Sequence, residues 1–392
     1  MLSVTGRRYD TGESVRIQID GDRIRHVEII NPPRDWQSLP FIAPALFDLQ
    51  INGYQGVWFG QPGLTAQQVV DTLLPHYRYG ITRICPTLIT NSFDNLKNGF
   101  NAIREACEQN ASIARMVPGC HLEGPYISSE DGPRGAHAKK HVRPADWNEF
   151  SKLQESSGDR IRLVTVAPEV SGALDFIRHA VRSGVVIAIG HTAATPDEIQ
   201  AGVDAGATLS THLGNGAHGM IRRHPNYIWE QLAEPRLTPS IITDGHHLPA
   251  SVVRTVIKTK GVDRVIITCD AAGLAGSPAG RYEIEGIEVE VLIDGRIVVA
   301  GQQQMLAGSS LETDHCVSTA IDMAGISLKE AIDMAGRNSA RALGFEEISL
   351  EPGQLADLIV FHDRGRGKHL EIAATIASGE LKWGKLEQPV EK

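Results

Sequence analysis

Short runs of apolar, β-branched residues recur along the middle of the chain, at 45–51, 81–87, 116–122, 163–167, 185–189, 207–211, 241–243 and 265–269. Stretches with helical periodicity lie between most of them, so the pattern predicts eight strands alternating with helices. The runs are nearly continuous in hydrophobicity, as parallel strands covered on both faces require, and eight such units is the count of a (β/α)8 TIM-like barrel. Helix punctuation agrees. Thr195-Pro196-Asp197-Glu198 reads as a capping box with proline in the first turn, leading into Ile199 and Val203. Glycines 80, 184, 206 and 261 fall between a helix and the next strand, where a left-handed cap is needed.

The two ends follow another period. Alternation at 15–19 and 23–29 brackets Asp20-Gly21-Asp22, a hairpin signal, and the same style returns at 357–361 and 380–383. The expected fold class is therefore α/β, a (β/α)8 barrel over residues 41–345 with a small β-sandwich domain built from both chain ends, 1–40 and 346–392.

Composition narrows the class. The 392 residues are 42% hydrophobic and 22% charged, enough apolar content for a large core and too much for a disordered chain. A net charge of −9 offers no footprint for nucleic acid or an anionic membrane, and no run of 18 apolar residues occurs, so neither partner is expected. Five scattered cysteines without a C-x-x-C pair fit buried reduced thiols, and the amino-terminal residues lack the apolar core of a signal peptide; the expectation is a cytoplasmic protein.

Histidine is concentrated: ten of the fifteen lie between His121 and His247. The chemistry-bearing residues fall where the predicted strands end. His121 and Glu123 follow the third, His191 the fifth, His212 the sixth, His246 and His247 the seventh, and Asp270 the eighth. A barrel keeps its active site at those strand ends. Glu123, His191 and His212 make a His2Glu set that leaves an open coordination position, so one divalent metal is expected, zinc first and iron or another divalent ion next. Asp270 reads either as a turn former or as the base that takes a proton from the attacking water and later gives it to the leaving group.

These residues, together with Phe47-Asp48-Leu49-Gln50-Ile51-Asn52-Gly53, His121-Leu122-Glu123-Gly124-Pro125, Gly135-Ala136-His137, Gly190-His191-Thr192, Asp244-Gly245-His246-His247 and Leu306-Ala307-Gly308-Ser309, resemble the amidohydrolase superfamily and, within it, the N-acetylglucosamine-6-phosphate deacetylases. The resemblance implies hydrolysis of the acetamide of an N-acetylated amino-sugar phosphate to acetate and the free amine, in a homodimer. It places Glu123, His191 and His212 as metal ligands, Asp270 as general acid/base, and His137 beside the scissile carbonyl. It also points to Ala136, Asn215, Gly216, Arg223, His247 and Leu306 as contacts to sugar or phosphate. Arg223 matches an arginine that reaches the phosphate from the neighbouring subunit; its other reading is a solvated charge in the run 222–224.

Many amidohydrolases carry His-x-His after the first strand to hold a second metal, where this chain has Gln50 and Asn52. Neutral amides are poor zinc ligands, so the pair predicts a mononuclear site with these two residues on the substrate side. The sequence departs from the family after the sixth strand, where Gly214 replaces a phenylalanine, and at the doubled His246-His247. Another N-acyl sugar, an N-acyl amino acid or a cyclic amide therefore stays open as substrate, as does a silent binding or assembly relative.

Overall fold

The computed structural model describes residues 1–31, 39–284, 287–306, 308–363, 365 and 369–386. Eight parallel strands form one sheet in sequential order: β1 (Leu46–Ile51), β2 (Ile81–Ile89), β3 (Cys120–Glu123), β4 (Ile161–Val166), β5 (Val186–Ile189), β6 (Leu209–Ser210), β7 (Thr238–Ile242) and β8 (Ile266–Thr268). Each corresponds to one of the eight predicted runs. Helices follow most strands, and Thr195 does close a capping box on Glu198 at the start of the helix Pro196–Ala205. Gly80, Gly184, Gly206 and Gly261 all have positive φ.

Closure between β8 and β1 depends on two devices. A parallel bridge joins Ile51 to Ala271, with the Asn52 amide donating to the Ala271 carbonyl at 2.8 Å. Below it, the fully buried Asp48 carboxylate accepts four hydrogen bonds: from Gln50 N (2.9 Å), Thr268 Oγ1 (2.5 Å), Cys269 N (2.8 Å) and Thr313 Oγ1 (2.6 Å). A buried carboxylate is tolerated when its lone pairs are matched in this way. Asp48→Ala leaves four buried donors without an acceptor. We expect it to cost about 2–4 kcal/mol and to lower the melting temperature of the purified protein by several degrees; a melting temperature equal to that of the parent would show that closure does not depend on this residue.

The barrel interior is graded. At the amino-terminal end Phe47, Leu49, Cys85, Leu163, Ala188, Leu209 and Ile266 form a dry layer against Ala340 and Leu343. Above it runs a hydroxyl–imidazole layer: Thr87 Oγ1 to His121 Nδ1 (3.3 Å), His121 Nε2 to Thr165 Oγ1 (2.8 Å), and Thr165 Oγ1 to Thr211 Oγ1 (2.7 Å). His121 thus sits inside β3, two residues before Glu123 and on the same face. Its buried ring is pushed down to about 4 by desolvation, so it is a neutral hydrogen-bonding spacer beneath the site.

The chain ends meet in one seven-stranded sheet, ordered Glu380–Gly384, Leu370–Ala377, Leu358–Asp363, Phe41–Pro44, Leu2–Arg8, Ser14–Asp20 and Arg23–Ile29. All its pairings are antiparallel except that between Leu2–Arg8 and Phe41–Pro44. The sequence pattern had not singled out a second sheet, inserted after β8. It is an antiparallel four-stranded meander of Gly280–Ile284, Ile287–Val291, Ile297–Val299 and Gln302–Leu306. All five cysteines are buried and free. Among the described residues, no helix is long and apolar enough to cross a membrane.

Candidate active site

The ends of the barrel strands open into a cavity of about 920 Å³. At its floor Glu123, at the end of β3, meets His191 and His212, just beyond β5 and β6. Glu123 Oε1 lies 3.2 Å from His191 Nε2 and 3.0 Å from His212 Nε2, and the two nitrogens are 3.1 Å apart. All three side chains are buried. His191 Nδ1 lies 2.8 Å from the Pro133 carbonyl, which fixes that nitrogen as the N–H donor and turns the Nε2 lone pair inward. Two imidazole lone pairs and one carboxylate oxygen converging on one point fit a divalent cation, with the remaining directions open to the cavity. Burial alone raises the Glu123 carboxyl, but the adjoining His191 and His212 rings more than offset it and hold it well below the usual carboxylate range.

Three residues here adopt left-handed backbone conformations unusual for non-glycine side chains: His191 (φ 50°), His212 (φ 30°) and Asp270 (φ 50°). Each stands where the chain leaves a strand, and the twist turns its side chain across the barrel mouth. Gly216 makes room for one of them. A Cβ there would come within 2.8 Å of His191 Nδ1, so the loop after β6 can cover the back of that ring only with glycine.

Gln50, near the end of β1, and Asn52, just beyond that strand, turn their amides onto the two carboxylates of the site. Gln50 Nε2 donates to Glu123 Oε1 at 2.9 Å, and Asn52 Nδ2 donates to Asp270 Oδ1 at 2.8 Å and to the Ala271 carbonyl at 3.1 Å. The amide nitrogens must face the carboxylates, because the reverse orientation would oppose two oxygens. Each acidic group is thereby held by an amide N–H donor and faces no lone pair from Gln50 or Asn52. Gln50 is fully buried and does not line the cavity, whereas Asn52 does. Asp270 is half-buried at the cavity edge, and desolvation, then the nearby Glu123 carboxylate, push its pKa above the ordinary aspartate value.

His137 faces the same centre. Its Nδ1 is 2.8 Å from Thr90 Oγ1 and its Nε2 is 3.7 Å from Glu123 Oε2. Desolvation, then the neighbouring His191, push it down to about 3, so it is a neutral imidazole at physiological pH. Ala136, Asn215, Gly216, His247 and Leu306 also line the cavity; Ala307, next to Leu306 in the motif, lies outside the described residues. His247 is oriented by Asp244, whose Oδ2 lies 2.7 Å from His247 Nδ1 and accepts from Ser309 Oγ at 3.1 Å. Arg223 is exposed and does not line the cavity of its own chain.

The amidohydrolase family matches residues 41–382. The chain belongs to that family. Among its relatives, the N-acetylgalactosamine-6-phosphate deacetylase of Escherichia coli O157:H7 is 32% identical over 341 residues, covering 86% of this chain and 88% of that enzyme. The human N-acetylglucosamine-6-phosphate deacetylase is 32% identical over 356 residues, covering 87% and 83%. In three dimensions this amidohydrolase is similar to the N-acetyl-D-glucosamine-6-phosphate deacetylase of Mycobacterium smegmatis, with a TM-score of 0.86 at 28% identity over 97% of this chain and all of that one. Amidohydrolases of this kind are metal-dependent hydrolases, and the buried Glu123–His191–His212 cluster is the candidate metal site.

Sequence reasoning passed over several lining residues, Trp58 and Arg296 among them, and gave His246 no part in the site. Trp58 lies on a two-residue strand, Val57–Trp58, too short for periodicity to register. Arg296 follows Asp294-Gly295 in the inserted meander, and that Asp-Gly pair between apolar runs is a hairpin signal that could have located it.

Proposed function

We propose that this amidohydrolase hydrolyses the acetamide of an N-acetylhexosamine 6-phosphate, releasing acetate and the free amino sugar, with one divalent metal held by Glu123, His191 and His212. The observation that carries the reading is the convergence of those three donors at 3.0–3.2 Å on the floor of a sugar-sized cavity that also holds Asp270. Nitrogen and carboxylate donors in a compact set favour zinc, with iron or another divalent ion as the next choice. When bound, the metal supplies Lewis acidity toward the amide carbonyl and makes the attacking water more acidic.

The protein groups do the rest. Asp270, held by Asn52 and kept basic by its surroundings, accepts a proton from the attacking water and returns it to the sugar nitrogen as the C–N bond breaks. His137, neutral and with Nε2 turned toward the centre, donates to the carbonyl oxygen as negative charge develops there. Asn215 and His247 are placed for sugar hydroxyls, with His247 fixed by Asp244. We also take the enzyme to be a cytoplasmic homodimer. Buried free cysteines support the compartment, and the exposed Arg223, outside its own chain's cavity, would reach substrate only in a neighbouring subunit.

Gly214 lines the cavity with φ 101° and no side chain, where the family commonly has phenylalanine. That favours a wider sugar pocket and a second reading in which the C4 epimer, N-acetylgalactosamine 6-phosphate, is the better substrate. Acetate release from both epimers, phosphorylated and not, on metal-replete protein tests both readings. We expect at least one 6-phosphate to be hydrolysed and to be preferred over its unphosphorylated sugar. Bound metal with no acetate from any of the four would remove the amino-sugar reading and turn the search to other N-acyl substrates.

A further inference from the structure

Resting on the N-acetylhexosamine 6-phosphate reading, we infer that Arg296, carried by the meander inserted after β8, supplies from within the same chain a cation that binds the substrate's phosphate, in addition to the Arg223 that a neighbouring subunit would bring. Among the described residues, it is the only arginine or lysine lining the cavity. The whole chain is net negative at −9, so a phosphate is drawn into this cavity by a local cation and not by the overall field.

The placement of Arg296 is built by its turn. Gly280–Ile284 through Gln302–Leu306 form the meander, and the turn between its second and third strands is closed by Leu292 N to Arg296 O (2.8 Å) and Gly295 N to Leu292 O (3.0 Å). The turn packs directly on the barrel top: a Cβ on Gly295 would stand 3.1 Å from Ser310 Oγ. The adjoining Ser309 holds Asp244, which holds His247, so the turn and the sugar-facing histidine share one support.

The guanidinium is then oriented from one side. Nε donates to Asp294 Oδ2 at 2.8 Å, and no described group accepts from Nη1 or Nη2. The side chain is 32% exposed, open to solvent at the cavity rim. A fork with one edge pinned and its two amino groups free is suited to a phosphate, which accepts two parallel N–H bonds from arginine. His246, of the doubled His246-His247 pair, also lines the cavity, so a second potential donor borders the same space. The competing account is an ordinary surface ion pair that staples its own turn, worth little and unconnected to substrate.

Three measurements on R296Q, with R296K and R223Q in parallel, separate these accounts. The first is steady-state kinetics on the hydrolysed sugar 6-phosphate and its unphosphorylated form. The second is calorimetric affinity of the metal-free protein for glucosamine 6-phosphate against glucosamine. The third is the melting temperature. We expect R296Q to lower the phosphate-to-sugar ratio of kcat/KM by about 10- to 100-fold, mainly through KM, to weaken glucosamine 6-phosphate by a similar factor, and R296K to recover part of both. A ratio held within twofold, an equal loss on both sugars with a lower melting temperature, or a collapse of the ratio in R223Q and not in R296Q would each overturn the assignment. Binding of glucosamine 6-phosphate that R296Q abolishes, in a wild-type protein that releases no acetate, would support Arg296 while removing the deacetylase reading.

Discussion

Replacing Asp270 with asparagine is expected to lower kcat between about 100- and 10,000-fold while leaving the metal content of the protein and the KM for substrate close to those of the parent. The substitution is nearly isosteric. Asn52 Nδ2, 2.8 Å from Asp270 Oδ1, can still donate to an amide oxygen at that position, and asparagine tolerates the φ of 50° as well as aspartate does. What is lost is the lone pair that takes a proton and the acid that gives it back, and both steps of the proposed cycle need it. The three proposed metal ligands are other residues, so metal analysis on the variant should still find the ion. Near-parental turnover in Asp270→Asn would end the acid/base assignment, and loss of the metal would mean that Asp270 serves as a ligand.

The second large effect concerns the metal itself. Metal analysis of the purified protein is expected to give one divalent ion per chain. Chelation should remove turnover, re-addition should restore it, and His212→Ala should lose both the ion and the activity. One ion is expected because Gln50 and Asn52 place amide N–H groups, not lone pairs, against Glu123 and Asp270. An imidazole at either position would reverse that polarity and invite a second cation. Removing the ion also leaves two imidazole nitrogens 3.1 Å apart beside a buried carboxylate, so the melting temperature should fall on chelation. Two ions per chain would overturn the reading of Gln50 and Asn52, and full activity in chelated protein would overturn the metal-dependent one.

The barrel was legible because its signal is local. Each strand is a run of apolar residues and each helix start a capping pattern, as at Thr195 and Glu198, and these depend on neighbours a few residues away. The chemistry was legible through position: Glu123, His191, His212 and Asp270 stand at or just beyond strand ends, and in a parallel barrel all those ends share one face. The inserted meander was less legible. Its strands of three to five residues carry few periods each, and they follow a glycine-rich stretch that obscures the change of element.

The sequence by itself determined the eight-strand succession, the shared end on which its acidic and imidazole groups meet, and the family whose chemistry those groups resemble. Only the tertiary structure decided which atoms face which. It turned the amides of Gln50 and Asn52 onto Glu123 and Asp270, residues 73 and 218 positions away. It tied Asp48 to Thr268 and Thr313, moved His121 down into a hydroxyl layer, and brought Arg296 to the cavity rim while leaving Arg223 outside it. The physical reason is the range of the forces involved. Periodicity records which side of an element is buried, whereas hydrogen bonds between residues hundreds of positions apart form only once closure of the barrel has set β1 beside β8.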